Sequence, residues 1–232
     1  MMESRHAERL RHYLTRHRLE HVFPEPLLAR LSLMQFERGE RICEQGEPAG
    51  RLYVLVEGKI KVFTTSPEGR ALVLSFREPV EIIGDVEFIG RRDLMNTVEA
   101  VSRSLAIGVD YRDLEAYGMN HAPLLQFLLE VITHKFYTKS NAMSFNLMHP
   151  VEVRLASYLL TVCQEETGLP HQGGSAAVHL ADAASYIGTS YRHLNRVLRQ
   201  FIDEGLVERA GGQIRVSDRA GLLAKAEHNI YE

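Results

Sequence analysis

Apolar residues recur in two different rhythms along this chain. Across residues 36–109 they come in short runs broken by glycine: FERGERICEQGE, RLYVLVEGKIKVF, ALVLSF, EIIGDVEF, NTVEAV and LAIGV. In the second run Leu52, Val54 and Val56 alternate with Tyr53 and Leu55, a period of two with both faces at least partly apolar. Glu57-Gly58 and Pro67-Glu68-Gly69 supply tight connections. Short strands at such regular spacing predict an all-β barrel or roll.

Beyond Tyr111 the rhythm changes to threes and fours. Leu125, Leu129, Ile132, Phe136 and Met143 share one stripe, and Leu124, Leu128 and Val131 a second, which predicts one long helix over 123–148. A helix apolar on two sides needs two covers: here the β domain and a second copy of the chain, hence a homodimer. Burial of both faces inside one chain is the alternative. His149-Pro150 ends the helix, because the proline ring disfavours helical backbone in the residue before it, and marks a hinge.

After the hinge the pattern predicts a helix over 151–166 and a Gly-rich loop, GLPHQGGS. LADAASYIG and TSYRHLNRVLRQFIDEG then read as two helices joined at Gly188-Thr189, with Ala183 and Ala184 small enough for close helix approach. VERAGGQIRV follows as two short strands around Gly211-Gly212. The expectation is an α+β protein with three parts: an N-terminal helix and β-roll over 1–122, a dimerisation helix and hinge over 123–149, and a winged helix-turn-helix over 150–232.

Charge sharpens the last part. The formal net charge is −3 at pH 7, so any attraction to a polyanion must be local. In TSYRHLNRVLRQF, Leu194, Val197, Leu198 and Phe201 fall on one helix face, and Arg192, Arg196 and Arg199 on the opposite one with no acid among them. Ser190 is placed to cap this helix. Arginine pairs with guanine O6 and N7, and asparagine with adenine, in the major groove. Arg192, Asn195 and Arg196 are therefore the candidate base readers, Ser190 and Arg199 the candidate phosphate contacts, and Tyr191 and His193 neighbours that suit either role. A β-roll sensor acting through protein partners is the rival reading, against which the acid-free arginine face argues.

Other chemistry finds little support. With 45% hydrophobic and 25% charged residues the composition is that of a soluble globular protein, and no apolar run approaches the roughly 20 residues of a membrane span. The N-terminal segment, a short surface helix with Leu10 and Leu14 on one face, lacks the apolar core of a signal peptide, which fits a cytoplasmic protein. Cys43 and Cys163 lie far apart, without disulfide or metal spacing, and read as buried small apolar residues. His17, Glu20 and His21 match the HxxEH spacing of a zinc peptidase, but no third ligand follows. Glu165-Glu166 and Asp203-Glu204 are adjacent pairs and cannot oppose one another as acid and base. No phosphate loop or nucleophile turn is present, so the chain is not read as an enzyme.

Taken with these motifs, the chain resembles the CRP/FNR family of bacterial transcription regulators over nearly its whole length. Gly39-Glu40, Gly46-Glu47, LYVLVEGKIKVF and IIGDVEF stand in the order of that family's cyclic-nucleotide-binding-type roll, and LADAASYIGTSYRHLNRVLRQFIDEGLVE resembles its winged helix-turn-helix. SYRHLNRVLRQFIDEGL is also similar to the YeiL-like branch. The resemblance implies a dimer reading a near-palindromic site, contact with RNA polymerase, and an effector pocket drawing on Gly84, Asp85, Glu87, Leu94, Met95, Lys139 and Ser140. The departures bear on the effector. Where nucleotide-binding members carry an arginine and a serine or threonine for the cyclic phosphate, this chain has Leu94 and Met95, which argues against cAMP. The N-terminal cysteine cluster of iron–sulfur members is missing, which argues against such a cluster. No cofactor is expected, and the effector is left open.

Overall fold

The computed structural model describes residues 2–67, 69, 71–163, 175–176, 178, 180–210 and 213–228. The chain divides into two compact units, Met1–Phe136 and Tyr137–Glu232.

The first unit opens with helices α1 (Met2–Arg16) and α2 (Glu25–Leu28). Six strands follow: β1 (Ser32–Phe36), β2 (Arg41–Cys43), β3 (Arg51–Glu57), β4 (Ile60–Thr65), β5 (Ala71–Arg77) and β6 (Glu81–Ile83). After helix α3 (Asp85–Gly90) come β7 (Thr97–Ala100), β8 (Ser104–Asp110) and the short α4 (Tyr111–Asp113), which runs on into a π-helical turn. The strands form two antiparallel four-stranded sheets, in the orders β1-β8-β3-β6 and β2-β7-β4-β5. This is the expected roll.

Alternation along β3 explains how one strand serves two cores. Leu52, Val54 and Val56 point to the side where Leu10 and Leu14 of α1 pack, whereas Leu55 joins Ile60, Ile83 and Val98 in a second, smaller cluster. Gly58 sits at φ 91° between β3 and β4, where a Cβ would lie 2.5 Å from the Arg103 carbonyl oxygen; only glycine fits both the conformation and the space. Two expectations need correction. The first strand begins at Ser32, upstream of residue 36. EIIGDVEF is not one strand: Gly84, at φ 88°, turns the chain from β6 into α3, so DVEF is helical. The turn at Glu68 lies outside the described residues.

The long helix α5 spans Ala122–Met148, one residue longer at its start than predicted. Its two apolar stripes fare differently. Leu124 and Leu128 are 2% exposed and pack into the β3 cluster, whereas Leu129, Phe136 and Met143 are 65%, 73% and 62% exposed.

In the second unit Pro150 caps α6 (Val151–Val162), which stops short of the predicted end at 166; residues 164–174, with Glu165, Glu166 and most of GLPHQGGS, lie outside the described residues. Strand β9 (Ser175–Ala176), helices α7 (Leu180–Tyr186) and α8 (Tyr191–Asp203), strands β10 (Val207–Ala210) and β11 (Gln213–Val216), and helix α9 (Arg219–Lys225) complete it. The sheet order is β10-β11-β9, so the predicted wing gains a third strand; Gly211-Gly212 lies outside the described residues. Leu155, Leu159, Ala183, Leu194, Phe201, Val216 and Leu222 belong to one core. Cys163 is buried in it, as predicted, whereas Cys43, at the end of β2, is only half-buried.

Candidate nucleic-acid interface

The angle between α7 and α8 is fixed by local chemistry. Ala183 and Ala184, 0% and 3% exposed, let the helices approach, and Gly188 takes φ 66° in the turn between them. Thr189 N–H donates to the Ala184 carbonyl at 2.8 Å, and the Arg154 guanidinium on α6 donates to the Ile187 carbonyl. Ser190 caps α8: its Oγ accepts from His193 N–H at 3.1 Å, which satisfies one of the free donors at the helix start. The hydroxyl proton stays available to a phosphate oxygen.

Helix α8 is divided as its sequence requires. Leu194, Val197, Leu198 and Phe201 are buried, and Tyr191, Arg192, Arg196 and Arg199 line the open side of the helix. Among the described residues none of the three arginines pairs with a carboxylate. Arg196 Nη2 instead meets His193 Nε2 at 2.8 Å. Asn195, half-buried, donates from its amide to the Tyr191 carbonyl at 3.1 Å, so reading adenine would require that bond to exchange.

That side of α8 borders an open concavity whose rim includes Glu152, Asp203, Glu204 and Arg209. Glu204 is neutralised from behind: it accepts from Lys225 and Gln200, both at 2.9 Å, and the Lys225 pairing first, then the Gln200 bond, holds its carboxyl below the usual range. In the wing Arg215 is paired with Glu208 at 3.1 Å. Glu152 and Arg209, which sequence reasoning passed over, come to this face only through the packing of α6 and the wing.

The candidates in the roll are placed differently. Asp85 is 2% exposed, and both its oxygens accept from Lys135 Nζ at 3.0 Å. Glu87, 8% exposed, accepts from Met95 N–H at 3.1 Å. Leu94 N–H donates to the Glu47 carbonyl at 2.9 Å, and the Leu94 carbonyl accepts from Gly46 N–H at 2.8 Å. The amides of residues 94 and 95 are thus both used internally, and their side chains carry no charge. Arg91 and Arg92 are exposed. Lys139 and Ser140 belong to the second unit. Burial pushes the Cys43 thiol up to about 12, and it raises the hydroxyls of Tyr53 and Tyr111 as well.

The HxxEH spacing does not form a metal site. Helix α1 ends at Arg16, so His17 and His21 are not one helical turn apart, and His17 Nε2 is engaged by the Val56 carbonyl at 2.8 Å. Among the described residues no group of three or more His, Cys, Asp or Glu could hold a metal ion, and no helix is long and apolar enough to cross a membrane.

Residues 33–121 match the family model of the cyclic nucleotide-binding domain, and residues 153–225 that of the Crp-like helix-turn-helix domain. Together these cover well over half of the chain. The chain belongs to the CRP/FNR family of transcription regulators. It is 24% identical over 203 residues to a CRP-like cAMP-activated global transcriptional regulator of Mycobacterium tuberculosis, covering 86% of this chain and 90% of that one. It is 26% identical over 194 residues to the regulatory protein YeiL of Escherichia coli O157:H7, covering 84% and 85%. A CRP-family transcriptional regulator from Thermus thermophilus shares the fold, with a TM-score of 0.73, 24% identity, and 86% and 98% of the two chains covered. The CRP/FNR family consists of transcription regulators, not enzymes, and its members bind DNA and act as dimers.

Proposed function

We propose that this CRP/FNR-family regulator binds a near-palindromic DNA site as a homodimer, with α8 of each copy in a major groove. One observation carries the reading: three guanidinium groups project from the face of α8 opposite its buried side, none of them paired with a carboxylate among the described residues. Arg192 and Arg196 are assigned to base edges, with Asn195 as a third reader once its amide leaves the Tyr191 carbonyl. Ser190 and Arg199 are assigned to phosphates, and Tyr191 and His193 to either. The exposed stripe of α5 supplies the dimer contact, and RNA polymerase is the partner through which a bound dimer acts. The setting is the cytoplasm.

For the roll we propose control by a signal other than cAMP. A cyclic phosphate needs cationic and N–H donors. The matching positions here offer the side chains of Leu94 and Met95 and amides already bonded to Glu47 and Glu87. No iron–sulfur cluster or other cofactor is assigned. The test is operator binding measured by fluorescence anisotropy across a salt series. Each phosphate contact releases counterions, so log K should fall steeply and linearly with log salt, with or without cAMP. Salt-insensitive binding, or binding that appears only with cAMP, would reject this reading.

A further inference from the structure

An arginine that reads a base must give up its rotamer freedom on entering a groove, and whatever fixes it beforehand favours binding. On α8 that fixing falls to one side chain. Arg196 Nη2 meets His193 Nε2 at 2.8 Å, across one turn of the helix. A guanidinium can only donate, so Nε2 accepts, and the imidazole in this contact is neutral with its hydrogen on Nδ1. The bond occupies one N–H of the fork and leaves the others for guanine O6 and N7.

His193 is itself held in place. Its backbone N–H donates to Ser190 Oγ at 3.1 Å, and it is half-buried where Arg192, Arg196 and Arg199 are exposed. The other charged groups around the same concavity are Arg192, Arg199, Asp203 and Glu204 of α8 and its end, Glu152 of α6 and Arg209 of β10. Glu204 is taken by Lys225, and among the described residues no carboxylate forms an ion pair with His193 or Arg196. Protonation of the imidazole would remove the acceptor and add a cation beside three arginines. Arg196 would lose its tether, while attraction to any phosphate would grow.

We propose that His193 is the positioning residue that sets base discrimination by Arg196, and that it does so only as the neutral imidazole. Lowering the pH therefore trades sequence preference for general attraction to DNA. This rests on the proposed reading of α8 as the helix that enters the major groove. The two consequences run in opposite directions, which a merely structural role for His193 would not produce.

Binding is measured by fluorescence anisotropy on two duplexes: the one the wild type selects, and one changed at the base pair whose preference Arg196→Ala relaxes. At about pH 8, where imidazoles are neutral, His193→Ala should narrow the ratio of the two affinities about 2- to 10-fold, the cost of ordering one flexible side chain. His193→Gln, whose amide oxygen accepts from Arg196 without titrating, should keep most of the wild-type ratio. In an Arg196→Ala background His193→Ala should change the ratio no further. Between about pH 8 and about pH 6 the wild type should lose discrimination and bind the changed duplex more tightly, and His193→Gln should do neither. A wild-type ratio in His193→Ala that circular dichroism shows to be folded would overturn the proposal. So would a pH effect that persists in His193→Gln, which decides the matter alone if His193→Ala does not fold, or an Arg196→Ala variant that relaxes no base pair. Wild-type protein that selects no duplex would instead reject the functional reading beneath it.

Discussion

Arg196 Nη2 lies 2.8 Å from Nε2 of His193, one turn earlier on α8. The imidazole nitrogen accepts in this contact, so the arginine is steered without being neutralised. A carboxylate in that place would hold the guanidinium and repel the phosphates around it.

Arg196→Ala should therefore cost on the order of 1 to 3 kcal/mol of operator affinity and relax preference at one base pair. Arg199→Ala should weaken all sequences alike and reduce the salt slope by about one. Competition band shifts with single-base operator variants separate the two. A uniform loss on Arg196→Ala would move it to the phosphate group.

Ser190 has a structural and a binding role that glycine can separate. Loss of the cap in Ser190→Ala should cost about 1 kcal/mol of stability, and Ser190→Gly only a few tenths. Both remove the hydroxyl proposed for phosphate contact, so both should weaken DNA binding. Chemical denaturation and band shifts on the same preparations check this: binding that follows stability, with Ser190→Gly near wild type, would leave Ser190 as a cap only.

Leu129, Phe136 and Met143 recur every seven residues on α5 and are all exposed in a single chain. Phe136→Glu places a charge in the middle of that stripe without touching a buried side chain. The expected outcome in sedimentation is a monomer at concentrations where the wild type is a dimer, with little change in melting temperature of the separated chains and a large loss of operator affinity. A dimer of unchanged strength would remove the stripe from the interface.

Raised thiol and phenol groups make stability fall in alkali. The folded Cys43 thiol stays protonated up to about 12, against about 9 when unfolded, so above pH 9 the unfolded chain binds fewer protons and is favoured. Tyr53, Tyr111 and Tyr158 are shifted the same way by burial. Melting temperature should drop steadily between about pH 9 and 11, with Cys43 slow to alkylate near pH 8 until the fold opens. Cys43 is half-buried, and rapid labelling of it in folded protein would contradict the raised thiol.

The roll, the long helix and the winged helix-turn-helix were legible in the sequence because each rests on a local period. Leu52, Val54 and Val56 alternate, Leu194, Val197, Leu198 and Phe201 share a helix face, and Gly188 and Ser190 mark the turn and cap between two helices. What escaped depends on contacts distant in sequence. Lys135 looks like a solvated lysine until Glu81 and Asp85, 54 and 50 positions earlier, are seen around it. Glu152 and Arg209 give no local sign that they border the arginine face. DVEF reads as strand in the sequence and is helix in the fold, because one glycine at φ 88° redirects the chain and hydrophobicity over four residues cannot distinguish the two.

Two copies of α8, each presenting Arg192, Arg196 and Arg199, are expected to read DNA together. Selection of bound fragments from genomic DNA by the purified full-length protein, followed by footprinting, tests this most directly. The predicted result is an enriched near-palindrome whose half-sites lie about 34 to 36 Å apart, one turn of the duplex. Fragments with no shared motif, or a protected single half-site bound by one copy, would contradict it.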